Sequence, residues 1–163
     1  MPDGPRPTNG PRYDDDFYAW TQYQAEVLRS MPAPDNRFDR ENVAEEIEDL
    51  GRNYRDAARS QIRRILEHFL KLAHSPASDP RFDWMGSIID ARAILEDQLS
   101  ATLRRDLETS LPRLYRNARK QAELGLREYR ENSAADSMPA ECPYTLEQIL
   151  ADDWYPDPPG EST

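Results

Sequence analysis

The chain has 163 residues, of which 32% are charged and 37% are hydrophobic, and only six are glycine. This composition is typical of a soluble helical domain, and no apolar run approaches the roughly 20 residues that a membrane-spanning helix needs. A single cysteine, Cys142, excludes an internal disulfide and any multi-cysteine metal site. We therefore expect a cytoplasmic protein without a membrane partner.

The charge is unevenly distributed along the chain. Residues 131–163 carry eight acids and no Lys or Arg, whereas residues 1–130 carry 23 acids and 21 Lys or Arg. Nucleic-acid binding needs a positive surface that replaces phosphate counterions, so this balance argues against a nucleic-acid partner. An acidic segment of one sign instead suits a basic protein partner.

The first predicted helix follows residues 1–12, which we expect to form a disordered arm rather than a signal peptide. Asp14, Asp15 and Asp16 are expected in its first turn, where carboxylates suit the positive end of the helix dipole. Pro32 ends the helix, because proline disfavours helical backbone in the residue before it. The apolar residues fall on one face: Tyr13, Phe17, Trp20, Val27, Leu28 and Met31.

A second, longer helix is predicted to begin after Asp39, a good N-cap residue, and to end near Pro76. Its apolar residues recur at steps of three or four, which is the spacing of one helix face. They are Val43, Ile47, Leu50, Tyr54, Ala58, Ile62, Ile65, Phe69 and Leu72.

Three further helices are predicted from the remaining sequence. The third runs from about Trp84 to Leu107, and the break Ser110-Leu111-Pro112 starts a fourth that continues to about Tyr129. A short fifth helix follows Thr145, which has the capping-box spacing to Gln148.

No segment shows the period-two alternation of a strand, so we expect an all-α fold. Amphipathic helices joined by short turns favour an up-and-down bundle of four main helices plus a short C-terminal helix. We expect a single domain over residues 13–156 and a disordered tail over residues 157–163. The C-terminal segment is expected to pack on the bundle through its apolar residues, Tyr144, Ile149, Leu150 and Trp154.

Four carboxylates lie close together in the second helix, within the stretch NVAEEIEDLG (42–51). On a helical projection Glu45, Glu46, Glu48 and Asp49 spread around the side away from the apolar stripe and do not converge. Glu45 and Asp49, four positions apart, share a face and can bind one hard cation together with groups from elsewhere. The simpler interpretation is a solvated acidic face near a helix N-terminus, where the dipole favours it.

The arrangement Glu-Glu-x-x-Asp also resembles half of the magnesium site of the all-helical nucleoside triphosphate pyrophosphohydrolases. Glu45, Glu46 and Asp49 would supply that half. The second half should be an acid pair three positions apart on another helix, but the third residue after Asp90 is Ala93. A di-iron bundle needs Glu-x-x-His pairs, which neither histidine provides.

Other residues favour structural roles. Gly51 lies within the apolar stripe, where we expect close approach of another helix or of a tryptophan. His68 lies at the edge of the stripe and has no second ligand in view, so a partly buried structural histidine is the favoured interpretation. Trp20, Trp84 and Trp154 are expected to pack.

Two rows of basic residues allow two interpretations. One row follows the second helix and the other follows the fourth, and together they suit an anionic partner. The alternative is that acids of the C-terminal segment or of another helix pair with them inside the molecule, which we favour because the tail carries the excess acid. The residues are Arg52, Arg55, Arg59, Arg63, Arg113, Arg116, Arg119, Lys120, Arg127 and Arg130.

Four motifs follow one another along the chain: YDDDFYAW (13–20), NVAEEIEDLG (42–51), HFLKLAHSP (68–76) and ECPYTLEQILADDWYP (141–156). In this order they resemble the bacterial family named domain of unknown function number 29. The resemblance implies a small helical bundle, and it brings no established activity, substrate, cofactor or catalytic residue. It marks as motif positions Asp16, Trp20, Glu45, Glu46, Asp49, Gly51, His68, Lys71, Pro143 and Trp154.

Two functional hypotheses follow, and we favour the first. In the first, the protein is a non-enzymatic protein-interaction or regulatory module that needs no cofactor and binds a basic protein. In the alternative, it is a divalent-metal-dependent nucleotide hydrolase whose metal ligands are Glu45, Glu46 and Asp49. That enzyme would use Mg²⁺ or Mn²⁺, with His68 as a further candidate, and a homo-oligomer would complete the site that one chain lacks.

Overall fold

The computed structural model describes residues 9–32 and 35–160, and these residues form α-helices and no strand. Four helices are long: α1 Phe17–Ser30, α2 Arg40–His74, α3 Arg81–Gln98 and α4 Ala101–Glu128. Two are short: α5 Asn132–Ser137 and α6 Leu146–Leu150. The prediction of an all-α fold with four main helices and a short C-terminal helix is confirmed, and α5 is an element that was not predicted. The predicted disordered arm lies largely outside the described residues.

Contacts divide the described chain into two compact units. Unit 1 comprises the described residues up to Ala57 together with Ser100–Arg104, and unit 2 comprises Ala58–Leu99 and the described residues from Arg105 onward. The helices α2 and α4 each contribute residues to both units. The single domain over residues 13–156 stays a prediction.

Unit 1 is organised around a carboxylate that caps two helices. Asp16 is the N-cap of α1, and its Oδ1 accepts a hydrogen bond from the Ala19 amide at 2.9 Å. Its Oδ2 accepts a second bond from the Thr102 amide in the first turn of α4, at 3.3 Å. Because α1 begins at Phe17, the predicted place of Asp14, Asp15 and Asp16 inside its first turn was wrong: they precede the helix.

The buried side chains of unit 1 are mostly small. Thr21 and Ala25 of α1 are fully buried, as is Ala44 of α2. A Cβ atom added to Gly51 would lie 1.9 Å from Thr21 Oγ1, so the two helices approach closely at this glycine. The predicted stripe was wrong here, because Val43 is 37% and Leu50 56% exposed. Small residues allow two helices to approach closely. The side of α2 that is buried here therefore carries small residues, and Val43 and Leu50 lie outside it.

Unit 2 contains the large hydrophobic core. The predicted stripe is confirmed in this part of α2, where Ala58, Ile62, Ile65, Phe69 and Leu72 are all buried. The C-terminal segment packs on this core as expected: Tyr144 and Ile149 are buried in it, and Leu150 and Trp154 pack against it. The predicted capping box between Thr145 and Gln148 is also present at the start of α6.

The predicted boundary between the third and fourth helices was wrong. The helix α3 ends at Gln98, and α4 begins at Ala101 and continues through Pro112. Ser100 starts α4, since its hydroxyl accepts a hydrogen bond from the Leu103 amide at 3.2 Å. A proline inside a helix costs about 3 kcal/mol. Leu107 and Leu114, on either side of Pro112, are both buried, and their packing offsets that cost.

Candidate functional site

The carboxylates of NVAEEIEDLG do not converge. Glu45 and Glu46 are exposed, whereas Glu48 accepts a hydrogen bond from Arg29 Nη2 at 2.8 Å. Asp49 pairs with Arg52 on the same helix. Within the described part of the chain no three His, Cys, Asp or Glu residues are grouped so that they could hold a metal ion. The acids therefore form arginine pairs and a solvated surface, and the hydrolase hypothesis gains no support from their geometry.

Trp20 belongs to an aromatic cluster in unit 1. Its ring centroid lies 4.9 Å from that of Tyr13 in an edge-to-face arrangement and 6.1 Å from that of Phe17. Phe17 in turn contacts Tyr54 of α2 at 5.1 Å. The Phe17–Tyr54 contact is edge-to-face and joins α1 to α2.

His68 lies in unit 2 and is held in the neutral form. Burial lowers its pKa to about 4. Its Nδ1 atom is buried and has no hydrogen-bond partner among the described residues. Nδ1 therefore makes no hydrogen bond within unit 2 in either neutral tautomer. Desolvation opposes protonation of the ring.

A cleft of about 690 Å³, here called the Trp84 cleft, opens in unit 2 where the end of α2, the start of α3 and the end of α4 meet. Two of its lining residues, Lys71 and Pro76, come from the motif HFLKLAHSP. A Cβ atom added to Gly125 would lie 3.3 Å from Lys71 Cε, so the glycine leaves room for this side chain. The lining residues are Lys71, Pro76, Ala77, Ser78, Asp79, Pro80, Asp83, Trp84, Gly125, Leu126, Tyr129 and Glu131.

The charges of the Trp84 cleft are unbalanced. Lys71 is paired, because its Nζ donates to Glu67 Oε1 at 2.6 Å. Asp79, Asp83 and Glu131 form no ion pair with any residue that the structure describes. The cleft therefore presents three carboxylates beside two aromatic side chains, Trp84 and Tyr129, and its one cation is already neutralised.

A strained turn places Glu131 in this cleft. Arg130 has a φ of +63°, and no other residue apart from glycines in the described ranges has a positive φ. The Glu131 amide donates to the Leu126 carbonyl at 2.9 Å and the Arg130 amide to the Arg127 carbonyl at 3.0 Å, which is a Schellman motif. Glu131 Oε2 is buried and finds no hydrogen-bond partner among the residues described.

The basic residues divide into paired and unpaired groups. Arg59 binds Asp106 at 2.6 Å, and Arg127 binds Asp136 of the acidic segment at 2.6 Å. Arg119 donates to the Pro139 carbonyl at 3.0 Å. For Arg59 and Arg127 the interpretation that acids within the molecule pair with them holds. Arg63, Arg64 and Lys120 line a groove of about 410 Å³ and form no ion pair within the described ranges.

Arg92 is the structural residue that sequence reasoning missed. It is 4% exposed and donates to the carbonyls of Gln148, Ile149, Asp152 and Trp154 at 2.8–3.3 Å. Its guanidinium also lies over the rings of Phe69 and Tyr155. The sequence contained one signal that Arg92 is buried: its spacing places it on the same helical face as Ile88 and Leu95, which are also buried.

The opposite side of α3, here called the α3 outer face, carries exposed apolar side chains. Phe82 is 83% and Ile89 55% exposed, and they lie seven positions apart. Asp83, Asp90 and Asp97 follow at the same seven-residue interval, and all three are exposed. Residues seven apart share a helix face, so an apolar row and an acidic row run side by side.

Trp84 and Trp154, predicted to pack, are partly buried against the core of unit 2.

A family model described as "Domain of unknown function DUF29" matches residues 12–155. The chain belongs to this family. The match confirms the resemblance inferred from the four motifs, and the DUF29 family carries no assigned activity. A solved α-helical protein of unknown function from Rhodospirillum rubrum is similar in structure, with a TM-score of 0.78 and 24% identity over 90% of this chain and 93% of that one. This likeness shows the fold alone.

The comparison with curated proteins finds no match for this DUF29 chain. No helix in the described ranges is both long and apolar enough to cross a membrane. None of these similarities assigns a role to the Trp84 cleft or to the α3 outer face.

Proposed function

We propose that this DUF29 domain is a non-enzymatic protein-interaction module of the bacterial cytoplasm that binds a basic amphipathic helix through the α3 outer face. The observation that carries the proposal is the apolar row of this face lying beside a row of three aspartates. No metal or cofactor takes part in the proposed interaction.

The apolar row supports a docking role because water covers it in the isolated chain. Phe82 and Ile89 project away from the core, while Ile88, Ala91 and Leu95 of the same helix are buried in it. The two exposed side chains therefore form an apolar surface on the side of α3 that does not face the core. Exposed apolar patches rimmed by polar residues are typical of interaction sites.

The charges of α3 select the partner. Asp83, Asp90 and Asp97 are exposed, and the two cations of the helix are occupied within unit 2: Arg81 donates to the Leu72 carbonyl at 3.0 Å and Arg92 is buried. A second α3 laid on this face would place acid against acid. A partner helix with an apolar row and Lys or Arg at seven-residue intervals matches both rows.

The test is a fluorescence-anisotropy titration with two labelled synthetic helices that share a leucine row. One carries lysine and the other glutamate at the flanking positions. Wild type should bind the lysine helix at least tenfold more tightly than the glutamate helix. The substitution Ile89→Lys should abolish that binding, whereas Leu124→Lys, at a 68% exposed position of α4, should leave it unchanged.

Equal affinity for the two helices, or unchanged binding by Ile89→Lys, would contradict the proposal. Sedimentation of wild type and Ile89→Lys tests whether the face binds a second copy of the chain. Self-association of wild type that is lost in the variant would assign the face to that second copy.

The hydrolase alternative is tested by thermal unfolding with Mg²⁺ or Mn²⁺ on wild type and on Glu45→Gln/Asp49→Asn. A stabilisation confined to wild type would contradict the cofactor-free part of the proposal.

A further inference from the structure

We propose that the Trp84 cleft is a binding site for a small organic cation, an alkylammonium or guanidinium compound. The inference is argued from the lining of a concave site within unit 2, which shares Asp83 with the α3 outer face but none of its apolar row.

The size and walls of the cleft suit a small molecule. A volume of about 690 Å³ falls within the range of about 300–1,000 Å³ that is usual for ligand sites. Pro76, Pro80 and Leu126 provide apolar wall, and Trp84 and Tyr129 provide aromatic wall. Tyr129 is 78% exposed, so its ring can reach a bound molecule without leaving a core position.

The charges of the cleft define the ligand as a cation. Asp79, Asp83 and Glu131 have no ion-pair partner in the described ranges, and the ammonium of Lys71 is engaged by Glu67 at 2.6 Å. An ammonium or guanidinium group would supply the missing partner, and the face of Trp84 or Tyr129 attracts such a group through its ring quadrupole. A neutral or anionic molecule of the same size would gain neither contact.

Glu131 gives an independent reason to expect a ligand with hydrogen-bond donors. Its Oε2 atom is buried and accepts no hydrogen bond from the described residues. A buried carboxylate oxygen without a donor is costly, and native proteins usually provide one. The turn that follows α4, in which Arg130 has a φ of +63°, is a Schellman motif and positions the backbone of Glu131 at the cleft.

The test is isothermal titration of the full chain with cadaverine and with agmatine. A neutral diol of the same length and glutarate serve as matched controls. We expect both cations to bind, with affinity that falls as salt is added, and we expect neither control to bind. Glu131→Gln and Tyr129→Ala should each weaken cation binding at least tenfold, and the signal of the Trp84 indole proton in NMR spectra should shift on binding.

Glu128→Gln is the control variant, since Glu128 is exposed on the same helix end but does not line the cleft. It should change the affinity less than twofold. No binding of either cation, or equal binding by wild type and Glu131→Gln, would overturn the proposal. Binding of a blocked lysine peptide without binding of the free amines would also overturn it, because the cleft would then receive a side chain of a protein partner. Circular dichroism of each variant verifies that it is folded.

Discussion

Unit 1 and unit 2 bury different kinds of side chain. In unit 1 the buried residues at the contact between α1 and α2 are Thr21, Ala25, Ala44 and Gly51, and the aromatic rings lie partly exposed at its edge. In unit 2 the core is built from large side chains, among them Phe69 and Tyr115. Unit 2 therefore gains most from apolar area removed from water, while unit 1 depends on close backbone approach, helix caps and ion pairs.

The comparison predicts that truncating a large core side chain in unit 2 has the largest effect on stability. We expect Phe69→Ala to lower the free energy of unfolding by about 4 kcal/mol, because it leaves a cavity as well as losing apolar burial. Phe82→Ala is the matched control, because Phe82 is 83% exposed, and its effect should stay within about 0.5 kcal/mol. Urea unfolding followed by circular dichroism measures both, and similar losses for the two variants would contradict this account of the core.

The second effect concerns the docking of the C-terminal segment in unit 2. We expect Arg92→Met to lower the free energy of unfolding by about 3 kcal/mol, because carbonyls of residues 148–154 lose a charged donor. Arg113→Met, at an exposed position without an ion pair in the described ranges, should have little effect. Urea unfolding gives the stability, and Trp154 fluorescence reports release of the segment. A loss equal to that of Arg113→Met would contradict this role.

The third effect is a pH dependence that arises in unit 2. Burial lowers the pKa of His68 to about 4 from the ordinary value of 6.5. The unfolded chain therefore takes up the proton first as the pH falls, and stability decreases between pH 6.5 and about 4. Allowing for partial solvent screening, the loss is about 2 kcal/mol.

The check compares wild type with His68→Gln by urea unfolding across this pH range. The difference in stability should be constant above pH 6.5 and should shift in favour of the variant as the pH approaches 4. His74→Gln serves as the control, because it leaves His68 in place and should retain this pH dependence. A difference between wild type and His68→Gln that does not change with pH would exclude a buried neutral histidine.

The fourth effect, similar in size to the third, tests unit 1 through a pair of glycines. We expect Gly51→Ala to destabilise by about 2 kcal/mol, because the new methyl group collides with Thr21 and the helices must separate. Gly86→Ala meets nothing within 4 Å, so it should stabilise by about 0.5–1 kcal/mol through a less flexible unfolded chain. Thermal unfolding orders the three proteins, and hydrogen exchange should increase in α1 of Gly51→Ala. Stabilisation by both substitutions would remove the case for close approach.

Local signals were sufficient wherever one helix face or one cap decides the structure. The capping box at Thr145 and Gln148 and the stripe from Ala58 to Leu72 were predicted correctly, since both depend on spacing along a single helix. The boundary at Pro112 was predicted wrongly, because the local cost of a proline was outweighed by burial of Leu107 and Leu114. Val43 and Leu50 were wrongly predicted to be buried. A tertiary contact at Gly51 decided which side of α2 is buried, and the local spacing does not encode that contact.

The sequence by itself determined the all-α class, the family, the separation of an acidic C-terminal segment and the apolar spacing that builds the core of unit 2. The class, the acidic segment and the apolar spacing depend on composition and on periodicity, which a single helix already expresses, whereas the family was inferred from the resemblance of the four motifs. The tertiary structure alone decided that Arg92 binds four carbonyls, that Asp16 caps two helices and that the Trp84 cleft brings three carboxylates beside two aromatic rings. Each joins segments far apart in the chain, and no local spacing encodes which distant partner a side chain meets.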